Sequence, residues 1–230
     1  SETNDVLLVG ETGTGRKSII MALIKNSFLG KSMPEINYKR FVELKVQDLG
    51  AQISDRLEIE NTIDRVFQEA VLAGNVILII DEFHNFVGVR DKLGAVDISG
   101  IISPYLELTN FQIIAITTYE GLHKNIEENS SLLPLFEKVE VSQISPKETL
   151  ELLELRVPYI EEKNKIFFSQ QSLRNIIDNC EKYLRSLPFP EKALDILDEV
   201  TVLVKTLKEK VVLPEHIAKI SGSNNYHWKG

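Results

Sequence analysis

Val6-Leu7-Leu8-Val9-Gly10-Glu11-Thr12-Gly13-Thr14-Gly15-Arg16-Lys17-Ser18-Ile19-Ile20-Met21-Ala22-Leu23-Ile24 is the stretch around which the chain is organised. It reads as a short apolar strand, a glycine loop and the start of a helix, the order that a phosphate-binding loop (P-loop) requires. Glycines let the backbone curl until successive N–H groups point inward at an anion, and the following helix adds the positive end of its dipole. The competing reading is a plain glycine turn between a strand and a helix. It accounts for the glycines but not for the completeness of the context.

The charged end of the loop departs from the pattern G-x-x-x-x-G-K-[ST]. Counted without a gap from Gly10, the lysine position is Arg16 and the serine or threonine position is Lys17. With one inserted residue, Lys17 and Ser18 become the lysine and the magnesium-binding hydroxyl. The ungapped count places Ile19 and Leu23 four apart on one helix face, which does not exclude the inserted frame. The ungapped frame is preferred and both stay open. The candidate phosphate-binding set is therefore Gly10, Thr12, Gly13, Thr14, Gly15, Arg16, Lys17 and Ser18, with Ser18 also a candidate metal ligand.

Working outward, the chain has 230 residues, 43% hydrophobic and 26% charged, a composition that supports one large or two smaller globular domains. The formal net charge of -8, with no long Lys/Arg block, opposes binding to phosphate backbones, so no nucleic-acid partner is expected. Cys180 is the only cysteine, which excludes an internal disulfide and suits a reducing compartment. No apolar run has the length of a membrane span and no targeting segment opens the chain, so a cytoplasmic protein without membrane contact is expected. The first strand begins within a few residues of Ser1, which suggests a piece of a longer protein that could carry a signal or an anchor elsewhere.

After the loop helix, Phe41 to Val46 alternates like a half-exposed edge strand, and Leu57 to Leu72 carries the spacing of an amphipathic helix. Val76-Ile77-Leu78-Ile79-Ile80 is short and continuously apolar, as in a buried strand, and runs straight into Asp81-Glu82. Ile98 to Leu108 reads as a helix carrying Pro104, Phe111 to Ile116 as a buried strand ending at Thr117-Thr118, and Glu137 to Val141 as the last strand of this layer. Strands alternating with helices predict a parallel sheet covered on both faces. From Pro146 the pattern changes to helices only, over about Lys147 to Lys163, Ser169 to Leu184, Pro190 to Leu207 and a short one from Pro214. The expected division is a nucleotide-binding α/β domain over 1–143, a helical domain over 144–220 and a flexible tail or linker over 221–230.

Asp81 and Glu82 sit where ligands of open parallel sheets bind, at the carboxyl end of a strand. One carboxylate can hold a magnesium ion and its neighbour can orient and deprotonate a water. A strand ending in Asp-Glu alone is a weak signal; after a glycine loop it is a much stronger one. Thr117 and Thr118 could touch a terminal phosphate or that water, or could simply be strand-end threonines bonded to the backbone.

These residues resemble the AAA+ ATPases, and specifically the first nucleotide-binding domain of the Clp-type unfoldases and disaggregases (ClpA, ClpB, ClpC). The stretches that carry the resemblance are Leu7 to Gly15, Gly74-Asn75-Val76-Ile77-Leu78-Ile79-Ile80-Asp81-Glu82-Phe83-His84-Asn85-Phe86-Val87-Gly88, Ala115-Ile116-Thr117-Thr118, and Leu187-Pro188-Phe189-Pro190-Glu191-Lys192-Ala193-Leu194-Asp195-Ile196-Leu197-Asp198-Glu199. The resemblance implies a P-loop NTPase αβα sandwich followed by a small helical lid domain. It also implies ATP or ADP with Mg2+ as cofactors, and assembly into a hexameric ring or with partner AAA+ subunits, acting on a protein substrate. In it Asp81 helps to hold magnesium, Glu82 activates water, Thr117 or Thr118 is a sensor, and the segment around Pro190 closes over the base.

The departures point the other way. Arg16 keeps the charge of the loop lysine but replaces a compact ammonium with a broad planar fork. Lys17 stands where the hydroxyl belongs. Leu132-Leu133-Pro134-Leu135-Phe136 holds no arginine where the family carries its arginine fingers, and Gly50 to Leu57 lacks the pore aromatic. The leading expectation is therefore an ATP-binding domain with weak or lost hydrolysis. The alternative is a non-catalytic assembly or interaction module that keeps the fold, and an active unfoldase by itself is disfavoured. His84 is expected to be structural or to support the reacting groups from behind, and not to be a catalyst, and His123, His216 and His227 show no ligand spacing. Phe167-Phe168, Tyr226 and Trp228 read as packing or tail residues.

Overall fold

A computed structural model describes residues 4–53, 55–88, 96–128 and 131–222. Ser54 and the tail from 223, with Tyr226, His227 and Trp228, lie outside the described residues. The chain divides into two compact units, residues 1–11 with 16–141, and residues 12–15 with 142–230.

In the first unit the elements follow as β1 (Val6–Val9), α1 (Arg16–Phe28), β2 (Arg40–Glu43), α2 (Val46–Gln52), α3 (Arg56–Ala73), β3 (Val76–Ile80), α4 (Ser99–Leu106), β4 (Ile113–Thr117), α5 (Tyr119–Gly121) and β5 (Glu137–Glu140). The five strands form one parallel sheet in the order β2-β3-β4-β1-β5. The continuous apolar runs are explained by burial on both faces. Leu7, Val9, Leu78, Ile80, Ile113 and Ala115 face one layer with Ile59, Ile63 and Phe67 of α3 and Ile102 of α4. The alternate residues Leu8, Ile77, Ile79, Ile114 and Ile116 face the other with Ile20 of α1. Phe67 makes edge-on ring contacts with Tyr105 and Phe111 at 5.3 and 5.5 Å between centroids.

β2 lies at the edge, as its alternation predicts, but it stops at Glu43 instead of reaching Val46. Val46 is fully buried as the first residue of α2, and its amide donates to Leu44 O, a turn that takes the chain out of the ladder. α2 also takes up Gly50 to Gln52 of the Gly50 to Leu57 stretch. At the start of β1, Asp5 is buried and accepts from the Ile113 amide at 2.9 Å, while its own carbonyl accepts from the Glu137 amide at 2.8 Å. Burial pushes its carboxyl up from the ordinary 3.8 to about 7, against the lowering effect of the Ile113 bond.

The second unit holds α6 (Pro146–Asn164), β6 (Phe167–Phe168), α7 (Gln170–Tyr183), α8 (Glu191–Thr206), β7 (Val211–Val212) and α9 (Pro214–Gly222) around a core that includes Leu153, Ile176, Cys180, Ile196 and Val200. Ser145 opens α6 with a capping box, its hydroxyl accepting from Glu148 N and the Glu148 carboxylate accepting from Ser145 N. The helices-only expectation misses β6 and β7, which pair in parallel with the Phe167 amide donating to Lys210 O at 2.8 Å. Two residues per strand are too few for a readable alternation. Ser221 and Gly222, read as tail, are the last residues of α9.

Candidate functional site

Strand register places the candidate residues. Val9 of β1 lies beside Thr117 of β4, and Ile80 of β3 beside Ala115, so Gly10, Asp81 and Thr118 all leave the sheet at its carboxyl end. The Gly10 amide donates to Thr117 O at 3.1 Å, tying the start of the glycine loop to β4. Gly13 and Gly15 have φ of 92° and 93°, a region that only glycine enters without strain. Thr12 is exposed and Thr14 buried. α1 begins at Arg16.

The two altered positions meet the two carboxylates. Arg16 is 7% exposed, and its Nη2 lies 3.4 Å from Glu82 Oε1. Lys17 projects from the first turn of α1 with its side chain 77% exposed, and its Nζ lies 2.8 Å from Asp81 Oδ2. The hydrogen bond and charge of Asp81 hold the Lys17 ammonium above its ordinary range, against slight desolvation and with help from Glu43 and Glu82. Asp81 Oδ1 accepts from the Glu82 amide at 2.9 Å. Glu82 itself sits in the left-handed region at φ 50°, ψ 42°, an uncommon conformation for a residue with a side chain. Ser18 is exposed on α1. A cleft of about 280 Å³ beside these groups is lined by Lys17, Glu43, Asp48, Asp81, Glu82 and Phe86 among others.

A third side chain reaches the carboxylates. His84 lies on the short 3-10 turn Phe83–Asn85; its Nδ1 is 3.0 Å from Thr117 Oγ1 and its Nε2 is 3.4 Å from Glu82 Oε2. Burial, the largest influence, holds its imidazole below the ordinary 6.5, with Glu82 pulling the other way, so it is neutral at pH 7. His84 bridges Thr117 Oγ1 and Glu82 Oε2, and the Thr117 hydroxyl also donates to Thr118 O at 3.3 Å. Thr117, His84 and Glu82 thus form one chain of contacts. Gly121 makes room for it, since a Cβ there would fall inside the His84 ring. The Asn125 side chain fixes the turn by donating to His84 O at 2.6 Å. Thr118 caps α5 instead, accepting from Gly121 N at 3.0 Å. The only clue in the sequence was the position of His84, two residues past Glu82.

Of the other candidates, Leu132 and Phe136 are buried in the sheet core around a turn at Leu133–Leu135, so this segment serves packing. His123 contacts Glu127 at 2.7 Å, and His216 contacts Glu209 at 3.0 Å while its Nδ1 accepts from the Leu213 amide at 3.1 Å. Among the described residues no group of three or more His, Cys, Asp or Glu side chains is arranged to hold a metal. Magnesium requires near-octahedral oxygen ligands at about 2.0–2.1 Å. Here Asp81 Oδ2 is engaged by an ammonium, Glu82 by a guanidinium and an imidazole, and the hydroxyl position of the ungapped frame holds a cation. This donor set does not fit a resident magnesium ion.

Comparison with known proteins adds a family context. The profile of the ATPase family associated with various cellular activities (AAA) matches residues 6–140, and that of an AAA lid domain matches 145–225. The chain is 31% identical over 202 residues to a probable ATP-dependent Clp protease ATP-binding subunit of Chlamydia pneumoniae, covering 88% of this chain and 24% of that protein. It is 33% identical over 204 residues to the ClpC ATP-binding subunit of Staphylococcus saprophyticus, covering 88% and 25%. A ClpA homologue of Guillardia theta is 33% identical over 210 residues, covering 90% and 25%. The chain thus spans about a quarter of the length of these curated relatives. Among solved structures it is similar in fold to closed-state Hsp104 with ATPγS and FITC-casein, at TM-score 0.83 and 22% identity over 95% of this chain and 38% of that one. A Saccharomyces cerevisiae Hsp104–casein complex in an extended conformation gives 0.82 and 21%, over 96% and 39%.

Proposed function

Because the chain belongs to the AAA family of ATPases and is a Clp-type domain of that family, we propose that it binds ATP or ADP through Gly10 to Ser18 and hydrolyses it weakly or not at all. The observation that carries this reading is the engagement of both oxygens of Glu82, Oε1 by Arg16 and Oε2 by His84. A general base must offer a lone pair to the water it deprotonates, within hydrogen-bond reach. Each Glu82 oxygen already faces a side chain of its own chain, so a water must compete with Arg16 and His84 for the carboxylate. The absence of arginine from Leu132 to Phe136 removes a second contribution, on the order of a thousandfold or more in rate where an arginine finger acts. In this reading Arg16 and Lys17 take the ungapped positions, Thr117 is the sensor bonded through His84, residues 1–143 are the nucleotide-binding domain and the helical segment from 144 is the lid.

Calorimetric titration of ATP and ADP into the chain, paired with steady-state phosphate release, tests the reading. Binding is expected with a turnover no higher than that of Glu82→Gln. Absence of binding at millimolar nucleotide would refute the nucleotide site, and turnover abolished by Glu82→Gln would refute the impaired hydrolysis.

The second reading, an assembly module within a ring or with partner AAA+ subunits and a protein substrate, is favoured by one feature. Met21, Phe28, Leu29, Met33 and Tyr38, in and just after α1, are large apolar side chains between 47% and 78% exposed. Sedimentation of the chain with and without ATP tests it, and a monomer at all concentrations would count against self-association. No helix among the described residues is long and apolar enough to cross a membrane.

A further inference from the structure

We infer that the Lys17 ammonium takes the place of the divalent cation, so that nucleotide binds this domain without magnesium. The inference rests on the nucleotide-binding reading above and deepens it. Three observations carry it. Lys17 occupies the position from which a hydroxyl would reach a metal, and its Nζ lies instead 2.8 Å from Asp81 Oδ2, the carboxylate at the end of β3 that would hold that metal. Its side chain is 77% exposed, so the ammonium, which has three donors and gives one to Asp81, faces the solvent from which a phosphate would arrive. Arg16 and Lys17 together balance Asp81 and Glu82, and Glu43 adds one further negative charge near Lys17.

A dication could enter only by displacing the ammonium from Asp81 or by lying against it. The first loses a charge-assisted hydrogen bond and the second sets like charges in contact. An ammonium donates to phosphate oxygens directly and needs no coordination shell. The free nucleotide, and not its magnesium complex, is then the natural ligand.

The experiment is titration of ATP into the chain in excess magnesium and in EDTA, for the parent and for Lys17→Thr. Threonine supplies the hydroxyl and releases Asp81. The parent is expected to change its Kd by less than about threefold between the two buffers, or to bind more tightly in EDTA, while Lys17→Thr binds at least about tenfold more tightly with magnesium. Manganese in place of magnesium gives a readout independent of affinity. Its electron paramagnetic resonance spectrum with ATP should not be broadened by the parent chain and should be broadened by Lys17→Thr. As a second variant, Lys17→Met removes the charge without adding a ligand and should weaken ATP binding in both buffers.

A parent chain that loses about tenfold or more in affinity in EDTA overturns the inference and leaves nucleotide binding standing. So does a Lys17→Thr variant that stays indifferent to magnesium, or a Lys17→Met variant that binds as the parent does. Absence of binding in either buffer instead refutes the nucleotide site itself, and the inference with it.

Discussion

Replacing Asp5 with asparagine should remove a large part of the pH dependence of stability. The carboxyl is 1% exposed, receives the Ile113 amide at 2.9 Å, and has its pKa raised by burial from the ordinary 3.8 to about 7. A group whose folded pKa is raised in this way binds its proton more tightly in the native than in the unfolded state. For an acid, the native state is therefore most favoured below the unfolded value and loses that advantage as pH rises toward about 7. A shift of about three units corresponds to about 4 kcal/mol, an upper figure because the denatured chain also shields part of its surface. The asparagine side chain keeps an oxygen for the Ile113 amide. Its extra amide donors cost about 1 kcal/mol if left unsatisfied, but that cost does not vary with pH. His84 titrates with the opposite sign, its depressed pKa withdrawing stability as pH falls below about 6.5, and its share cancels in the difference between parent and variant. Urea denaturation of both proteins at about pH 5 and about pH 8 reads this difference. Asp5→Asn should gain on the parent by a few kcal/mol between the two pH values. Parallel pH profiles would show that Asp5 is solvated or paired and would refute the reasoning.

Gly121→Ala should push His84 off Thr117 and Glu82, because the new methyl group occupies the space of its ring. The expected outcome is a loss of about 1–3 kcal/mol by thermal melting, with the His84 resonance titrating closer to about 6.5 in NMR. Ser145→Ala removes the hydroxyl that caps α6 and half of its capping box. It should cost about 1 kcal/mol in the unit that contains α6, read by hydrogen exchange of the Glu148 and Thr149 amides, and leave the ATP titration unchanged.

The doubly covered sheet was legible in the sequence because it depends on short windows. Leu7 to Val9, Val76 to Ile80 and Ile113 to Ile116 are continuously apolar because successive side chains enter opposite cores, and a few adjacent residues display the pattern. The glycine loop and the Asp81-Glu82 pair were legible for the same reason, as local signals set against a strand. β6 and β7 were not, since two residues carry no period, and neither was the turn at Leu44 to Val46, where the burial of one side chain overrides the alternation.

By itself the sequence determined the long helices, the buried strands of the sheet, and that a glycine loop, two carboxylates and two threonines lie near the carboxyl ends of parallel strands. Only the tertiary structure decided what these groups do to one another. Arg16 and Glu82 are 66 residues apart in the chain, and Thr117 and His84 are 33 apart. Whether they touch depends on strand register and on the space left by Gly121. The same holds for Asp5, an ordinary acidic residue in the sequence and a buried one in the fold, because its neighbour Ile113 comes from 108 residues away. Periodicity is a property of adjacent residues, whereas ion pairs and burial are properties of distant ones, and the altered loop acquires its meaning from the second.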